Sequence, residues 1–432
     1  MTDLPRRLTT PPMDPDPPQR ARPRAGGPFG VLDIGTTKIA CLIGRTESDG
    51  TLRVLGFGWQ KGRGVRAGSI VDLEEAERAI RAAVGQAEDM ADFRLRAVTV
   101  NLSCGQPESR LFNVQWPVGG RAVAEADLRR VVSEGRARAS ADGRETIHAL
   151  PLGFGVDEVT NIGDPRGQHC ETLSARLHVI DASATALRTL GACITRCDLD
   201  IAELVSAPMA AGLATLVDDE RQLGTTLLDM GGGTTGIAVL CEGHVLHTSQ
   251  IPIGGQHVTM DIAKGLSTTI THAERLKTLY GNAQSSPDDE REMLAVPLVG
   301  EDDSAIAHIP RAMLMNIIRP RLEETFEMVR ERLEASGLGR AAENRVVLTG
   351  GASQLAGLRE LAAQILGQPV RLGRPGNLRG MPDAASGPAF ATAAGLLAWA
   401  AGEGRVLADA DLEPETPEGG LRRLMFWLRR AW

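Results

Sequence analysis

A hairpin-forming motif occurs twice in this chain, in two distant places, and few folds accommodate such a duplication. Residues 227–239 read LLDMGGGTTGIAV: an apolar run ending in an acid, a glycine–threonine turn, then a second apolar run. That is the pattern of a strand, a tight turn and a returning strand. Gly231, Gly232 and Gly233 strip the turn of Cβ atoms, so backbone N–H groups can converge on an anion, and Thr234 and Thr235 add hydroxyls. Asp229 alone would repel a phosphate, but a hydrated divalent cation between acid and anion lets both share one site. The turn therefore reads as a site for magnesium-bound phosphate.

Residues 31–43, VLDIGTTKIACLI, nearly repeat it. Leu32–Gly35 matches Leu228–Gly231, and Thr36, Thr37, Lys38, Ile39 and Ala40 match Thr234–Ala238 after a two-glycine insertion. Two copies predict two similar half-domains facing across a cleft, with Asp33 and Asp229 holding magnesium through water. A third stretch, VVLTGGAS at 346–353, reads as a buried strand entering a turn at Gly350, Gly351 and Ala352. A helix through Leu355, Leu358 and Leu361 is expected to follow, its N-terminus facing the α-phosphate and adenosine side.

Composition narrows the alternatives. At 432 residues the chain suits two to four subdomains, and a net charge of -8 without a basic stripe argues against general nucleic-acid binding. The six cysteines form no C-x-x-C pair and no metal spacing with histidine, so they read as reduced core thiols. His244 and His247 have no third partner and do not predict a metal site. No run of eighteen apolar residues occurs, which predicts no spanning helix. Residues 1–27 are rich in proline with scattered charges and are expected to stay disordered.

Between the motifs, Asp72 and Glu75 have capping spacing ahead of a helix burying Ile80, Ala83, Val84 and Ala87. Residues 111–116, 146–156 and 173–180 read as strands and 125–139 as a helix. A helix is expected over 184–194, and another crossing from Ile201 to Leu216. Residues 281–310 read as a loop-rich excursion. The spacing of Leu314, Ile318, Leu322, Phe326, Val329 and Leu333 predicts a long helix, with Pro320 kinking it or marking a join.

The order acid-Gly-Thr-Thr, acid-Gly-Gly-Gly-Thr-Thr, strand-Thr-Gly-Gly resembles the actin-like ATPase superfamily and, within it, the FtsA family of bacterial cell-division proteins. The resemblance covers roughly residues 28–400 and the extreme C-terminus. It implies an α/β, two-lobed actin-like fold with duplicated half-domains and an inserted α+β subdomain, termed 1C. Subdomain 1A would comprise 28–102, 182–222 and the return helix 388–402; 1C, 103–181; 2A, 223–260 and 345–387; 2B, 261–344. Segments such as 121–124, 148–151, 164–167 and 177–180 look like the inserted subdomain, which in the family supports subunit contacts and partner binding.

The resemblance also implies ATP and magnesium as ligands. It places Gly35, Thr36, Thr37, Lys38, Gly231, Gly232, Gly233, Thr234, Thr235, Gly350, Gly351 and Ala352 around the nucleotide. The run PIGGQHVT at 252–259 and the segment 271–277 resemble the family signature, by which Glu274 and Lys277 face the adenosine; spacing alone equally allows a solvated ion pair. Relatives often carry an acid before the proline of the connecting helix to orient the attacking water. Here Ala207 precedes Pro208, leaving Glu203 as a weak candidate and hydrolysis slow or absent. Residues 317–324 resemble the 2B segment that receives the C-terminal tail of FtsZ, with Arg321 singled out.

An acidic linker at 403–420 leads to LRRLMFWLRRAW at 421–432. Leu421, Leu424, Met425, Leu428 and Trp432 share one helical face, and Arg422, Arg423, Arg429 and Arg430 lie opposite. Phe426 falls among the arginines, and Trp427 adds an interfacial aromatic. This resembles the family's membrane-targeting helix and implies a peripheral location on the cytoplasmic face of the inner membrane, at the division site. Partners implied are FtsZ, further copies of the chain, anionic lipids and later division proteins through 1C. Two other readings fit the same fold, a small-molecule kinase and a shape-determining filament ATPase. The first lacks a second acid-rich motif beside the hairpins; the inserted segment and the C-terminal helix weigh against the second.

Overall fold

In a computed structural model, the structure describes residues 26–300, 306–342, 344–376 and 378–402. The duplication extends from the hairpins to whole sheets. In the first lobe, Phe29–Ile34 and Lys38–Thr46 form the predicted hairpin, Leu52–Lys61 continues antiparallel, and Ala97–Leu102 and Asp200–Ser206 add parallel on the other side. In the second lobe, Thr225–Met230, Thr235–Cys241 and His244–Ile251 repeat that antiparallel run, and Val346–Thr349 and Val370–Leu372 the parallel one. Strand order and direction are the same in both.

Register corrects one detail of the repeat. Asp33 pairs with Ala40 and Asp229 with Gly236, so the two turns have equal length and no glycines are inserted. Gly35 N–H donates to Lys38 O at 2.9 Å and Gly231 N–H to Thr234 O at 2.9 Å, which equates Lys38 with Thr234. Thr36 and Thr37 therefore correspond to Gly232 and Gly233.

Helix Leu73–Ala91 starts where the sequence predicts, with the Asp72 carboxylate accepting from Glu75 N–H, and buries Ile80, Ala83, Val84 and Ala87 against the first sheet. The connecting helix is shorter than expected. Residues 200–206 form a parallel edge strand buried over Leu204–Ser206, and only Ala207–Thr215 is helical, with Pro208 in its first turn. A short apolar run reads equally well as either element, and the strand position beside Ala97–Leu102 decides it. This helix crosses the return helix Ala391–Ala400 at Gly395, where an added Cβ would lie 1.7 Å from Ala210 O. The two backbones thus touch beneath the cleft.

The inserted subdomain is a four-stranded antiparallel sheet ordered Glu108–Pro117, Thr172–Ser183, Arg144–Val156, Val159–Ile162, with helix Glu125–Arg138 on one face. Its core, including Leu128, Val131, Phe154, Leu173 and Leu177, is separate from those of the lobes. In the second lobe, helices Gly255–Gly265, Ile270–Tyr280 and Arg311–Ala335 pack together. Arg311–Ala335 runs through Pro320 without a join, because Leu314, Ile318, Leu322, Phe326, Val329 and Leu333 are buried on both sides of it. The expected loop at 281–310 contains a hairpin, Met293–Pro297 paired antiparallel with Ile306–Pro310. All six cysteines are free, five of them buried. No helix among the described residues is long and apolar enough to cross a membrane. The linker 403–420 and the helix expected at 421–432 lie outside the described residues, as does most of 1–27.

Candidate functional site

The two glycine turns meet face to face across a cavity of about 610 Å³. Asp33, Gly35, Thr36, Thr37 and Lys38 line it from the first lobe, Asp229, Gly231, Gly232, Gly233 and Thr234 from the second. Their contact is complementary. A Cβ on Gly232 would lie 2.3 Å from Thr37 Cγ2, and one on Gly233 2.5 Å from Thr36 Oγ1. The glycines are bare because the threonines of the opposite turn occupy the space, in addition to any anion they admit.

Thr235 departs from its expected role. It is fully buried in the returning strand, its hydroxyl donates to Ile253 O at 2.8 Å, and it does not line the cavity. Glu203 departs likewise, because it sits in the strand Asp200–Ser206 opposite Thr99 rather than on the connecting helix, and it is not among the lining residues. Ala207 and Pro208 do line the cavity, so that position beside the glycine turns carries no carboxylate.

Gly350, Gly351 and Ala352 line the cavity as expected. Gly350 has φ +83°, and a Cβ there would meet Asp229 Oδ1 at 2.6 Å, so only glycine fits. The following helix begins at Leu358, after a 3₁₀ turn over Gly351–Gln354, so Leu355 precedes it and that turn, not a helix N-terminus, faces the cleft. Glu274 and Lys277 both line the cavity and pair at 2.7 Å. They are organised by Thr259, whose buried hydroxyl meets the Glu274 carboxylate and accepts from Lys277 Nζ at 2.8 Å.

Buried charge dominates the floor. Asp33 is 7% exposed and Lys38 Nζ lies 3.6 Å from its Oδ2. Burial pushes the Asp33 carboxyl up, against the pull of Lys38, and pushes Lys38 down, against Asp33 and Asp229. Asp229 is pushed up to about 6, chiefly by burial and further by Asp33, while the Thr392 hydroxyl and Lys38 oppose the shift. Two sequestered acids facing one cleft, beside two glycine turns, fit a hydrated divalent cation, whose charge would favour both carboxylates.

Sequence reasoning missed two contributors. Asn101, on the neighbouring strand, accepts from Ile34 N–H at 2.7 Å and donates to Ile34 O at 3.3 Å, fixing the backbone ahead of the first turn. The segment 389–392 leads into the return helix: Lys38 Nζ donates to Ala389 O and sits 3.7 Å above the Phe390 ring, and Thr392 Oγ1 donates to Asp229 Oδ2 at 2.8 Å. An amide side chain in an otherwise mostly apolar strand was a visible signal for Asn101. Thr392 left none.

Comparison with known proteins agrees with this architecture. The family profile described as "Cell division protein FtsA" matches residues 226–395, and that of the "SHS2 domain inserted in FTSA" matches 104–181. The cell division protein FtsA of Rhizobium meliloti (strain 1021) is 44% identical over 378 residues, covering 85% of this chain and 86% of that protein. The chain belongs to the FtsA family. FtsA of Escherichia coli (strain K12) is 32% identical over 411 residues, covering 93% of this chain and 97% of that protein. The SHS2 match covers the four-stranded sheet of the inserted subdomain and its helix Glu125–Arg138. Among solved structures, the PilM–PilN type IV pilus biogenesis complex matches with TM-score 0.61 at 18% identity, over 86% of this chain and 98% of that one. MreB5 of Spiroplasma citri bound to ADP matches with TM-score 0.51 at 14% identity, over 85% and 94%. Both share the actin-like fold.

Arg321 is the expected partner contact of this FtsA-family chain. Its guanidinium forks onto Asp261 at 2.6 and 3.2 Å and also meets Glu324. It ties helix Arg311–Ala335 to helix Gly255–Gly265, so its charge is already engaged within the lobe.

Proposed function

We propose that the chain binds magnesium–ATP between its two glycine turns and works as a filament-forming adaptor, holding FtsZ filaments to the cytoplasmic face of the inner membrane during assembly of the division ring. The observation that carries the nucleotide half is the convergence of Asp33 and Asp229, from duplicated hairpins, on one cavity of about 610 Å³, within the size range of small-molecule sites. The ADP bound to an MreB relative of the same fold supports it.

In this reading Gly35–Lys38 and Gly231–Thr234 cradle the terminal phosphates through backbone N–H groups. Gly350–Ala352 face the α-phosphate, and Glu274 and Lys277 the adenosine. Asp33 and Asp229 hold magnesium through water, and the bound ion supplies charge neutralisation for the phosphates. Lys38, now on Ala389 O and the Phe390 ring, is within the cavity wall and adds positive charge beside the phosphates. Turnover is slow or absent, because phosphoryl transfer to water needs the water to be positioned, and Ala207 offers no acid for it.

The FtsZ C-terminal tail is assigned to the second-lobe helices around Arg321, and later division proteins to the inserted subdomain. Anionic lipid is assigned to the segment 421–432. Its four arginines each contribute about 1 kcal/mol near an anionic surface, while ordering each residue costs about 1–2 kcal/mol, so one tail holds weakly. A filament presenting many tails binds through raised effective concentration.

Sedimentation with anionic vesicles tests the adaptor role. Full-length protein is expected to pellet with the vesicles, more strongly in magnesium–ATP and less in high salt, and removal of 421–432 to release it without loss of ATP binding. Undiminished pelleting after that removal would reject the anchor.

A further inference from the structure

We infer that Thr392 is the positioning residue for Asp229, setting which carboxylate oxygen the second lobe offers to the cation in the cleft. The inference rests on the reading of the cleft as the magnesium–nucleotide site.

A carboxylate near the end of a strand can rotate, and one that holds an ion, even through water, holds it poorly when it does. Asp229 is held from two sides. Thr392 Oγ1 donates to Oδ2 at 2.8 Å, and Oδ1 lies against Gly350, where even a Cβ would come within 2.6 Å. The hydroxyl is sequestered, Thr392 being 7% exposed, so no bulk water substitutes freely for it. One oxygen is thereby engaged, and the orientation of the other is fixed.

The bond also spans the lobes. Thr392 lies in the first turn of Ala391–Ala400, a helix that packs on the first-lobe strands Phe29–Ile34 and Lys38–Thr46. Asp229 is the penultimate residue of the central strand of the second lobe, Thr225–Met230. Immediately before Thr392, Ala389 and Phe390 hold Lys38 of the first turn, and Gly350 N–H donates to Pro388 O at 3.2 Å. A single short segment therefore touches all three glycine turns. The helix it begins is fixed in place by the Gly395–Ala210 crossing. Asp229 is offered to the cation in this orientation only when the lobes stand in the relation that brings Thr392 to it.

The test uses full-length protein, manganese as the probe ion and ATP. Thr392→Val keeps the branched shape and deletes the hydroxyl; Thr392→Ser keeps the hydroxyl. Thr392→Val is expected to raise the half-saturating manganese concentration in the presence of ATP by about tenfold, the low end of the range seen when ligand-orienting partners are removed, because Asp229 reaches the ion through water. ATP binding in EDTA should stay at the wild-type level, and Thr392→Ser should restore manganese binding. A merely structural role would lower ATP binding in EDTA in parallel with the manganese effect, and that result overturns the inference. So does Thr392→Val matching wild type while Asp229→Asn does not. If wild type itself takes up no manganese with ATP, or Asp229→Asn leaves that uptake unchanged, the magnesium–nucleotide reading falls, and the positioning role with it.

Discussion

Two glycine-to-alanine substitutions, both inside helices, are expected to change stability in opposite directions. Gly395 sits in Ala391–Ala400 where an added Cβ would be 1.7 Å from Ala210 O, far inside any tolerable contact. The obstacle is backbone, so no side chain can swing away, and the helices must part by more than an ångström. Gly85, in Leu73–Ala91, has nothing within 4 Å of its virtual Cβ. Gly85→Ala should stabilise by about 0.5–1 kcal/mol, since alanine loses less backbone entropy in a helix. Gly395→Ala receives the same propensity gain but incurs overpacking of about 1–3 kcal/mol, at the upper end because neither helix can relax alone. The net loss is about 1–2 kcal/mol. Chemical denaturation of both variants reads this directly, and Gly395→Ala should also weaken magnesium–ATP binding, because Ala207, in the cavity wall, and Thr392, which holds Asp229, lie on the two helices forced apart. Equal stabilisation by both substitutions would refute the close crossing.

The facing turns give a second prediction: Gly232→Ala should cost about 1–3 kcal/mol by pressing on Thr37, and adding Thr37→Ala should recover most of it. No recovery in a double-mutant cycle would mean the glycine serves the anion alone. Acid stability is set partly by the inserted subdomain, where burial, reinforced by Arg136, holds His148 down to about 3, and burial, with His247 and His148, holds His178 down to about 3. Both are neutral in the fold and charged in the unfolded chain below its ordinary value near 6.5, so stability falls as pH drops from about 6.5 towards 3, by about 2 kcal/mol per histidine at pH 5. Melting curves against pH should flatten by roughly half that combined slope in His178→Phe, and an unchanged slope would remove His178 from the account. At Arg321, a glutamate would face Asp261 and Glu324, so Arg321→Glu should cost about 1–2 kcal/mol as well as weaken binding of an FtsZ tail peptide. The double change Arg321→Gln with Asp261→Asn removes the pair without leaving like charges together, and undiminished peptide binding by it would take Arg321 out of the partner site.

Most of the architecture was legible because the hairpins carry their own chemistry: Asp33 and Asp229 end apolar runs, and glycines follow. Their exact equivalence was not, since matching threonine to threonine suggested an insertion that the pairing of Asp33 with Ala40 and Asp229 with Gly236 removes. Identical residues at non-equivalent positions arose because one turn supplies the methyls and hydroxyls that the other leaves room for. Thr235 misled for the same reason. Residues 200–206 read as helix because a short apolar run does not declare strand or helix until a neighbour pairs with it, and the strands at 293–297 and 306–310 read as loop because acids and Pro–Ser turns surround them. Thr392 and the segment before it lie far from every motif in sequence, and only the return of the chain to the first lobe brings them beneath the cleft.

The central claim is that one magnesium–nucleotide sits between the duplicated turns, and an experimental structure of the full chain with magnesium and a non-hydrolysable ATP analogue tests it most directly. The account predicts terminal phosphates between Gly35–Lys38 and Gly231–Thr234, with the ion held through water by Asp33 and Asp229. A nucleotide bound elsewhere, or an ion contacting neither carboxylate directly or through water, would contradict it.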